Sequence, residues 1–437
     1  MNRFFDTISV QKGLSKLLID VSAASLQVIF GLTLLAFYHP FFIVFGLILV
    51  LLVVAIFTFT AKRGLSTSLK ESNEKYKVAY WLEELARTAN TFKLSGSNRL
   101  QMDRTDRHVM GYVNARRSHF KVLIQQFSLL VVFKVIVATG LLAIGGILVM
   151  EQHMNIGQFI AAEIIILLIM ASVEKLILGL ETVYDVLTSL EKIGQVTDLK
   201  LDPEGTQDFC DIKVYEGLDL EMKDVSFKYP GGDKWVLNKT SLHINAGDKV
   251  IVTGANGAGK STLLQLICGM YDVDQGSLSF NNVPFVNLNR QDLARQIGNV
   301  LSQEELFEGS LADNISMGIE GVSFDDIKWA AESVGLSDFI KSSPEGYATI
   351  LKPLGKQLAG SIVQKMLLAR SIVHKPRLLV LENALEGIDE SERKDIIDLL
   401  VDKRYPWTLI AVSKDSYFRS QVDYCIEMSE GVAQKVK

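Results

Sequence analysis

The chain has 437 residues, which favours two or three domains, and 48% of the residues are hydrophobic. The formal net charge of -5 excludes a general electrostatic attraction to nucleic acid, so no nucleic-acid partner is expected. The three cysteines, Cys210, Cys268 and Cys425, have neither metal-ligand nor disulfide spacing. Such spacing is typical of isolated thiols in a reducing compartment.

The amino-terminal part is apolar enough to cross a membrane. Residues 17–61 contain no Lys or Arg, and Asp20 is their only acidic residue. About 20 apolar residues span a bilayer, and Pro40 interrupts a continuous helix. A second apolar pair follows a polar middle segment. We therefore predict a transmembrane domain at 1–198 with four α-helical spans, at about 17–37, 41–59, 127–150 and 158–178.

Charge in the loops sets the predicted orientation. Residues 62–121 carry 13 Lys and Arg, whereas the two short turns carry none. Positive loops stay inside, so the middle segment and both termini are predicted to be cytoplasmic. Within the second pair of spans, we expect Lys134 to extend to the inner interface and not to pair with Glu163. Glu163 is expected to face a cavity or another helix.

A polar, acidic linker is predicted at 199–216, and a second domain at 217–437. Beyond the linker, short apolar strands alternate with amphipathic helices, which is typical of a mostly parallel α/β domain. The predicted fold class is therefore an α-helical transmembrane domain with four spans, followed by an α/β domain.

The segment KVIVTGANGAGKSTLLQLI contains a phosphate-binding loop, GxxxxGK[ST], between a predicted strand and a predicted helix. Its glycines let backbone N–H groups wrap phosphates closely, and the helix N-terminus adds its dipole. Lys260 is expected to reach the β and γ phosphates, and Ser261 to bind Mg²⁺. The predicted binding residues are Gly254, Ala255, Asn256, Gly257, Ala258, Gly259, Lys260, Ser261 and Thr262, with ATP and Mg²⁺ as cofactors. The second domain is thus predicted to be an α/β P-loop nucleotide-binding domain.

A strand with the sequence LLVLEN lies further along the chain. A phosphate-binding loop normally works with a strand that ends in aspartate and is followed by a catalytic carboxylate. This chain has Glu382 and Asn383 at those two positions. Glu382 keeps a carboxylate for Mg²⁺ but is one methylene longer, and Asn383 cannot accept a proton.

Membrane spans, a linker and a phosphate-loop domain together resemble exporter-type ATP-binding cassette (ABC) half-transporters. The resemblance implies that Tyr229 stacks on adenine and that Gln303 is the Q-loop residue that senses Mg²⁺. It also implies that Asp389 is the D-loop residue and that Ser413 occupies the position of the switch histidine. The signature LSGGQ, which serves the partner's site, corresponds to Leu358, Ala359, Gly360, Ser361 and Ile362. The implied metal ligands are Ser261, Gln303 and Glu382.

Several positions depart from the family pattern. Asn383 stands where the general base is expected, and Ser413 is shorter than histidine and neutral. Ala359 lacks the hydroxyl that would reach the partner's γ-phosphate, and the side chain of Ser361 occupies a position that needs bare backbone. The first pair of changes weakens the chain's own site and the second weakens the partner's. The family is ATP-hydrolysing, and this chain is expected to be impaired.

The membrane part also resembles the family. Residues 82–100 are similar to the second intracellular coupling region, but the first two of the six expected spans are missing. A shortened gene, a split gene or a wrong start would each produce this pattern. Our leading hypothesis is a lipid-embedded exporter half in the bacterial inner membrane that binds MgATP, hydrolyses it weakly or not at all, and transports an unknown substrate. It would form a homodimer or, as we favour, a heterodimer with a competent half. The alternatives are a non-enzymatic pseudo-ATPase regulator and a truncated exporter fragment.

Overall fold

The computed structural model describes residues 4–96, 99–201, 205, 207, 217–302 and 304–436. They divide into two compact units, Met1–Lys200 and Leu201–Lys437. The described part of the first unit is built from helices, and that of the second combines helices and strands. Most of the predicted linker at 199–216, including Cys210, lies outside the described residues.

Four of the five helices in the described part of the first unit are long. Their bounds are α1 (Phe4–Tyr38), α2 (Phe41–Arg87), α3 (Ala89–Ser95), α4 (Arg99–Met150) and α5 (Ile156–Thr197). Four of them, α1, α2, α4 and α5, are long and apolar enough to cross a membrane, which confirms the predicted four-span fold. The 47 residues of α2 and the 52 of α4 correspond to about 70–80 Å at ~1.5 Å per residue. Both helices are therefore much longer than a hydrocarbon core of about 30 Å.

Local signals set the two short turns between the long helices. Pro40 occupies the N-cap position of α2, two residues after the end of α1 at Tyr38. Asn155 caps α5, because its side chain accepts a hydrogen bond from the Gln158 backbone N–H at 2.8 Å. The Gln158 side chain accepts one in return from the Asn155 N–H at 2.9 Å, which completes a capping box.

Close approaches at small residues and satisfied polar groups hold the helices together. A Cβ at Gly31 of α1 would lie 2.7 Å from the Ile169 side chain of α5. The buried Gln126 amide donates to Thr60 Oγ1 at 3.1 Å and to the Tyr184 hydroxyl at 2.8 Å. Polar groups of α2, α4 and α5 thus satisfy one another inside the unit.

Lys134 pairs with a charge on a neighbouring helix, a partner that the sequence did not suggest, and its extension to the inner interface stays a prediction. Its ammonium forms an ion pair of 2.7 Å with Glu174 of α5, which lies eleven residues after Glu163 in the chain. The expectation that Lys134 and Glu163 do not pair agrees with this geometry. Pairing lowers the cost of keeping either charge in an apolar surrounding.

Strands of the second unit form three sheets. Their bounds are β1 (Leu220–Phe227), β2 (Leu237–Ile244), β3 (Lys249–Gly254), β4 (Gln275–Phe280), β5 (Val283–Pro284), β6 (Ile297–Val300), β7 (Gly309–Ser310), β8 (Ile350–Leu351), β9 (Leu378–Glu382), β10 (Thr408–Val412), β11 (Tyr424–Ser429) and β12 (Val432–Val436). The largest sheet has the order β12-β11-β3-β10-β9-β6, in which only β12 is antiparallel to its neighbour. An antiparallel sheet, β2-β1-β4-β5, and the pair β7-β8 complete the set among the described residues.

Helices cover both faces of the largest sheet. Their bounds are α6 (Lys260–Ile267), α7 (Arg290–Gln296), α8 (Leu311–Ser316), α9 (Phe324–Ser333), α10 (Ser337–Ser342), α11 (Gly360–Ile372), α12 (Glu390–Val401) and α13 (Ser416–Gln421). Alternate residues of β9 enter opposite hydrophobic cores: Val380 packs in the core that contains α6, and Leu379 in the core that contains α11. Burial on both faces explains why β9 and β10 are continuous apolar runs.

The strand register brings the chemically important ends together. Val412 of β10 pairs with Val252 of β3 on one side and with Glu382 of β9 on the other. The phosphate loop, Asn383 and Ser413 therefore leave the same carboxyl edge of the sheet, which is where open α/β sheets bind ligands.

Candidate nucleotide site

The phosphate loop joins β3 to α6 through a left-handed backbone path. Gly254, Gly257 and Gly259 have φ values of +138°, +81° and +98°. A Cβ at Gly254 would lie 2.3 Å from the Met428 carbonyl oxygen, so no larger residue fits there without movement of the backbone. Glycine supplies this conformation without steric cost, which leaves a concave backbone surface for phosphate.

Lys260 begins α6 and its ammonium lies over the loop. The Nζ atom donates to the carbonyl oxygens of Gly254 at 2.9 Å and Ala255 at 2.8 Å. Both acceptors belong to the loop itself, so the positive charge is held above the surface that would receive phosphates. Ala258, in contrast, is buried and its carbonyl accepts from the Gly431 N–H at 3.2 Å.

Ser261 and Glu382 meet at the inner end of the loop. The Ser261 hydroxyl donates to one oxygen of the Glu382 carboxylate, and the Ser302 N–H donates to the other at 3.2 Å. Glu382 is only 7% exposed. A hydroxyl and a carboxylate oxygen are the hard donors that Mg²⁺ prefers, and this ion normally adds substrate phosphate and water. The described residues contain no group of three or more His, Cys, Asp or Glu that could hold a metal ion.

The phosphate loop, Ser261 and Glu382 line a single cavity of about 520 Å³, the loop cavity. Its size lies within the range of small-molecule sites. The cavity brings together the predicted residues Gly254, Asn256, Gly257, Gly259, Lys260, Ser261, Thr262, Glu382, Asn383 and Ser413.

Asn383 and Ser413 provide no strong base in this cavity. Asn383 has φ of +50°, a left-handed conformation that asparagine adopts more readily than most residues. Its N–H donates to the Val412 carbonyl at 2.9 Å. The Ser413 hydroxyl oxygen accepts from the Asp415 N–H at 3.1 Å. Neither residue can take a proton from water in the way a carboxylate does.

Three charged cavity residues were missed by the sequence argument: Lys414, Asp415 and Arg419. Lys414 directly follows Ser413, so its position beside the switch position was a usable signal. Arg419 lies on α13, and no motif pointed to it.

Tyr229 lies beside α6 and does not line the loop cavity. Its hydroxyl is 2.8 Å from Thr262 Oγ1 and donates to Gln265 Oε1 at 2.9 Å. Its ring makes an edge contact with Tyr271, with centroids 5.5 Å apart. Tyr229 lines a neighbouring cavity of about 440 Å³, and stacking on adenine stays a prediction.

The signature residues lie apart from the loop cavity. Ala359 is the N-cap of α11, with φ of -66° and ψ of 145°, and makes no side-chain cap bond. Gly360 opens the helix, and a Cβ there would meet no atom within 4 Å. Leu358 and Ile362 pack against the hydrophobic core around α11. A role of this segment in a partner's site stays a prediction.

Gln303 lies outside the described residues, but its neighbours are placed. The Glu304 carboxylate accepts from the Leu301 N–H at 3.0 Å. Burial raises the pKa of Glu304, and the Leu301 hydrogen bond and the charge of Arg370 oppose that rise. Asp389, at the predicted D-loop position, is the N-cap residue of α12.

Comparison with known proteins agrees with this geometry. A sequence model of the ABC transporter family matches residues 237–386. The cyclolysin secretion/processing ATP-binding protein CyaB of Bordetella pertussis is 31% identical over 288 residues, 66% of this chain and 40% of CyaB. The β-(1→2)glucan export ATP-binding/permease protein NdvA of Rhizobium meliloti is 30% identical, over 67% of this chain and 50% of NdvA.

The α-hemolysin translocation ATP-binding protein HlyB of Escherichia coli O157:H7 is 29% identical, over 71% of this chain and 44% of HlyB. This chain therefore spans half or less of the length of these curated relatives. The structure of a bacterial Atm1-family ABC exporter with ATP bound has a TM-score of 0.87 and 19% identity, and covers 98% of this chain and 74% of that one. At that identity the likeness concerns the fold. The chain belongs to the ABC transporter family, with a helical membrane domain of the exporter fold joined to an ATP-binding cassette.

Proposed function

We propose that this chain binds MgATP at the loop cavity and acts as one half of an exporter, while hydrolysing ATP weakly or not at all. The observation that carries the proposal is the side chain after Glu382: Asn383 lines the cavity where the catalytic carboxylate is expected. Relatives named for secretion, translocation and export support a role in outward transport. These relatives are bacterial, and a bacterial inner membrane is the proposed location.

Binding is assigned to groups that the site retains. Loop N–H groups and Lys260 would hold the phosphates, and Tyr229 would stack on the base. Ser261 and Glu382, with Gln303, would hold Mg²⁺, which neutralises phosphate charge and orients the β and γ oxygens. Glu382 reaches Ser261 in spite of its extra methylene, which supports an intact metal position.

Slow chemistry follows from the groups that differ. Water attack on the γ-phosphate needs a positioned acceptor for the water proton, and the Asn383 amide cannot be that acceptor. Loss of a positioned base typically costs about 10²–10⁴-fold in rate. Ser413 is neutral and its hydroxyl already accepts from the backbone of its own loop.

The partner is proposed to be a competent ABC half rather than a second copy. In a homodimer both sites would lack the base and both would meet an altered signature. In a heterodimer only the partner's site would have a base, and that site would receive Ala359 and Ser361 from this chain. Turnover is therefore expected to be slow in either assembly.

ATPase and binding measurements on the purified full chain test the proposal. We expect Mg-AMP-PNP to bind, Lys260→Ala to abolish that binding, and phosphate release to stay near the buffer rate. Normal turnover that Lys260→Ala abolishes would disprove the impaired site. Mass spectrometry of copurified polypeptides identifies the partner, which is expected to carry an aspartate-glutamate pair and an intact LSGGQ.

A second candidate is a non-enzymatic regulator that dimerises on ATP and gates another complex. It is favoured by the presence of changes in both the chain's own site and its signature, since in many heterodimeric exporters the half with a poor site of its own keeps a good signature. The regulator predicts ATP binding without ATP-dependent transport by any assembly that contains this chain. Transport that is lost when this chain is deleted, and restored by the parent chain but not by Lys260→Ala, would count against the regulator.

A further inference from the structure

Two cations line the loop cavity and have no role in the function proposed above. They are Lys414, which follows Ser413, and Arg419 on α13. Neither takes part in an ion pair within the described part of the chain, and both are exposed. Free positive charge at the mouth of a phosphate site is an attractive force on an incoming anion.

The carboxylates of the cavity are already engaged. Glu382 accepts from the Ser261 hydroxyl and from the Ser302 N–H. Asp415 forms an ion pair of 2.8 Å with Arg393 of α12, and its other oxygen accepts from the Phe418 N–H at 2.9 Å. Asp415 is thus paired with a cation, the Glu382 oxygens are occupied by neutral donors, and neither carboxylate forms an ion pair with Lys414 or Arg419 among the described residues.

Arg419 is carried by an anchored element. The Asp415 side chain caps α13, and Phe418, the residue before Arg419, is 1% exposed in the core. Ser413 and Lys414 continue β10, whose last residue pairs with Glu382. The two cations thus stand on supports fixed by packing and strand register, at the side of the cavity that contains Asn383 and Ser413.

We propose that Lys414 and Arg419 bind the terminal phosphate of a nucleoside triphosphate, in the place that a switch histidine would otherwise serve. The inference rests on the proposed nucleotide binding at this cavity and adds which phosphate the cations contact. Arg419 can grip a phosphate with two N–H groups, and Lys414 acts as a point charge. A triphosphate offers these cations a group that a diphosphate lacks, so the site selects ATP over ADP and retains it in a chain without a base.

Equilibrium binding of Mg-AMP-PNP and MgADP to the full chain in lipid nanodiscs tests this assignment. We expect Arg419→Gln and Lys414→Gln each to weaken Mg-AMP-PNP binding about tenfold, since a charge-assisted hydrogen bond is lost. MgADP binding should change by less than about twofold, a margin small against one such bond. Arg419→Lys keeps the charge but loses the planar fork, and is expected to lose less than Arg419→Gln. Lys328→Gln, on an exposed face of α9 away from the cavity, is the charge-matched control and should bind both nucleotides as the parent does.

The results separate this inference from the function on which it rests. Equal loss of both nucleotides, or no loss of either in the double Lys414→Gln/Arg419→Gln variant, overturns the assignment to the terminal phosphate. If the parent binds neither nucleotide, the proposed function fails and the inference fails with it. Thermal unfolding without nucleotide shows whether each variant is folded. If Arg419→Gln is not folded, the loss of Mg-AMP-PNP binding relative to the loss of MgADP binding in Arg419→Lys decides.

Discussion

Replacement of Asn383 by glutamate addresses the missing base directly. Asn383 follows Glu382, the last residue of β9, and lines the loop cavity. A carboxylate there can accept a proton from attacking water, which the amide cannot. A positioned base is worth about 10²–10⁴-fold in rate, or about 2.7–5.4 kcal/mol of barrier at ~1.36 kcal/mol per decade. We therefore expect Asn383→Glu to raise the rate of ATP hydrolysis by up to that factor.

The same substitution carries a conformational cost. Asn383 has φ of +50°, and its N–H bond to Val412 at 2.9 Å holds it in that conformation. Asparagine tolerates the left-handed region better than glutamate, so the change should destabilise the cassette by about 1 kcal/mol or less. That loss is small beside the expected change in barrier, and a folded, more active variant should result.

Phosphate release from the full chain in nanodiscs, under saturating MgATP, measures the outcome. Asn383→Gln is the matched control, because it has the shape of glutamate without a base. Asn383→Glu combined with Lys260→Ala reports activity that does not come from this site. An equal rise in the glutamine variant, or an unchanged rate in a glutamate variant that still binds Mg-AMP-PNP, would refute the reasoning.

Three further substitutions test features outside the reacting atoms. Ala359→Ser should stabilise α11 by about 1 kcal/mol, because the N-cap position has no side-chain bond at present, and an unchanged denaturant midpoint would count against it. Burial lowers the pKa of Lys249 to about 8 from its ordinary 10.5, against the attraction of Asp423. Between those pH values the unfolded chain binds more protons than the folded chain, so the free energy of unfolding should rise with pH by about 3 kcal/mol at most. Lys249→Met should flatten that rise in denaturation curves measured across the window. Lys134→Met should lower the free energy of unfolding by about 1–3 kcal/mol, because Glu174 loses its partner. Adding Glu174→Gln should recover part of that loss, and thermal unfolding of the two variants measures it.

Features that depend on local sequence could be predicted well. The loop from Gly254 to Thr262 requires glycine at positive φ between a buried strand and a helix, and each requirement is readable as a residue type. The four spans follow from long apolar runs, because no other element satisfies its backbone in a bilayer. Residues 378–381 of β9 are all apolar because helices cover both faces of its sheet, and Glu382 at its end is the exception.

Features that depend on helix rotation and tertiary register were beyond the sequence. When a helix is apolar all round, its sequence does not show which face packs against a neighbour, so the side chain opposite Lys134 could not be identified as Glu174. Arg419 reaches the cavity only because β10 pairs beside β9 and Phe418 anchors α13. Neither relation leaves a pattern in the spacing of residues.

The residues of the proposed nucleotide site differ in whether the fold itself requires them. Gly254 is required by the close Met428 carbonyl whether or not a nucleotide binds, so its presence alone says little about function. Lys260 is different, because its ammonium contacts carbonyl oxygens of its own loop and adds little to the core. A cation kept there, with Ser261 touching Glu382, supports the proposed nucleotide binding at this cavity. Asn383 suits its left-handed backbone better than a glutamate would, so the residue at the position expected for the general base favours structure over chemistry.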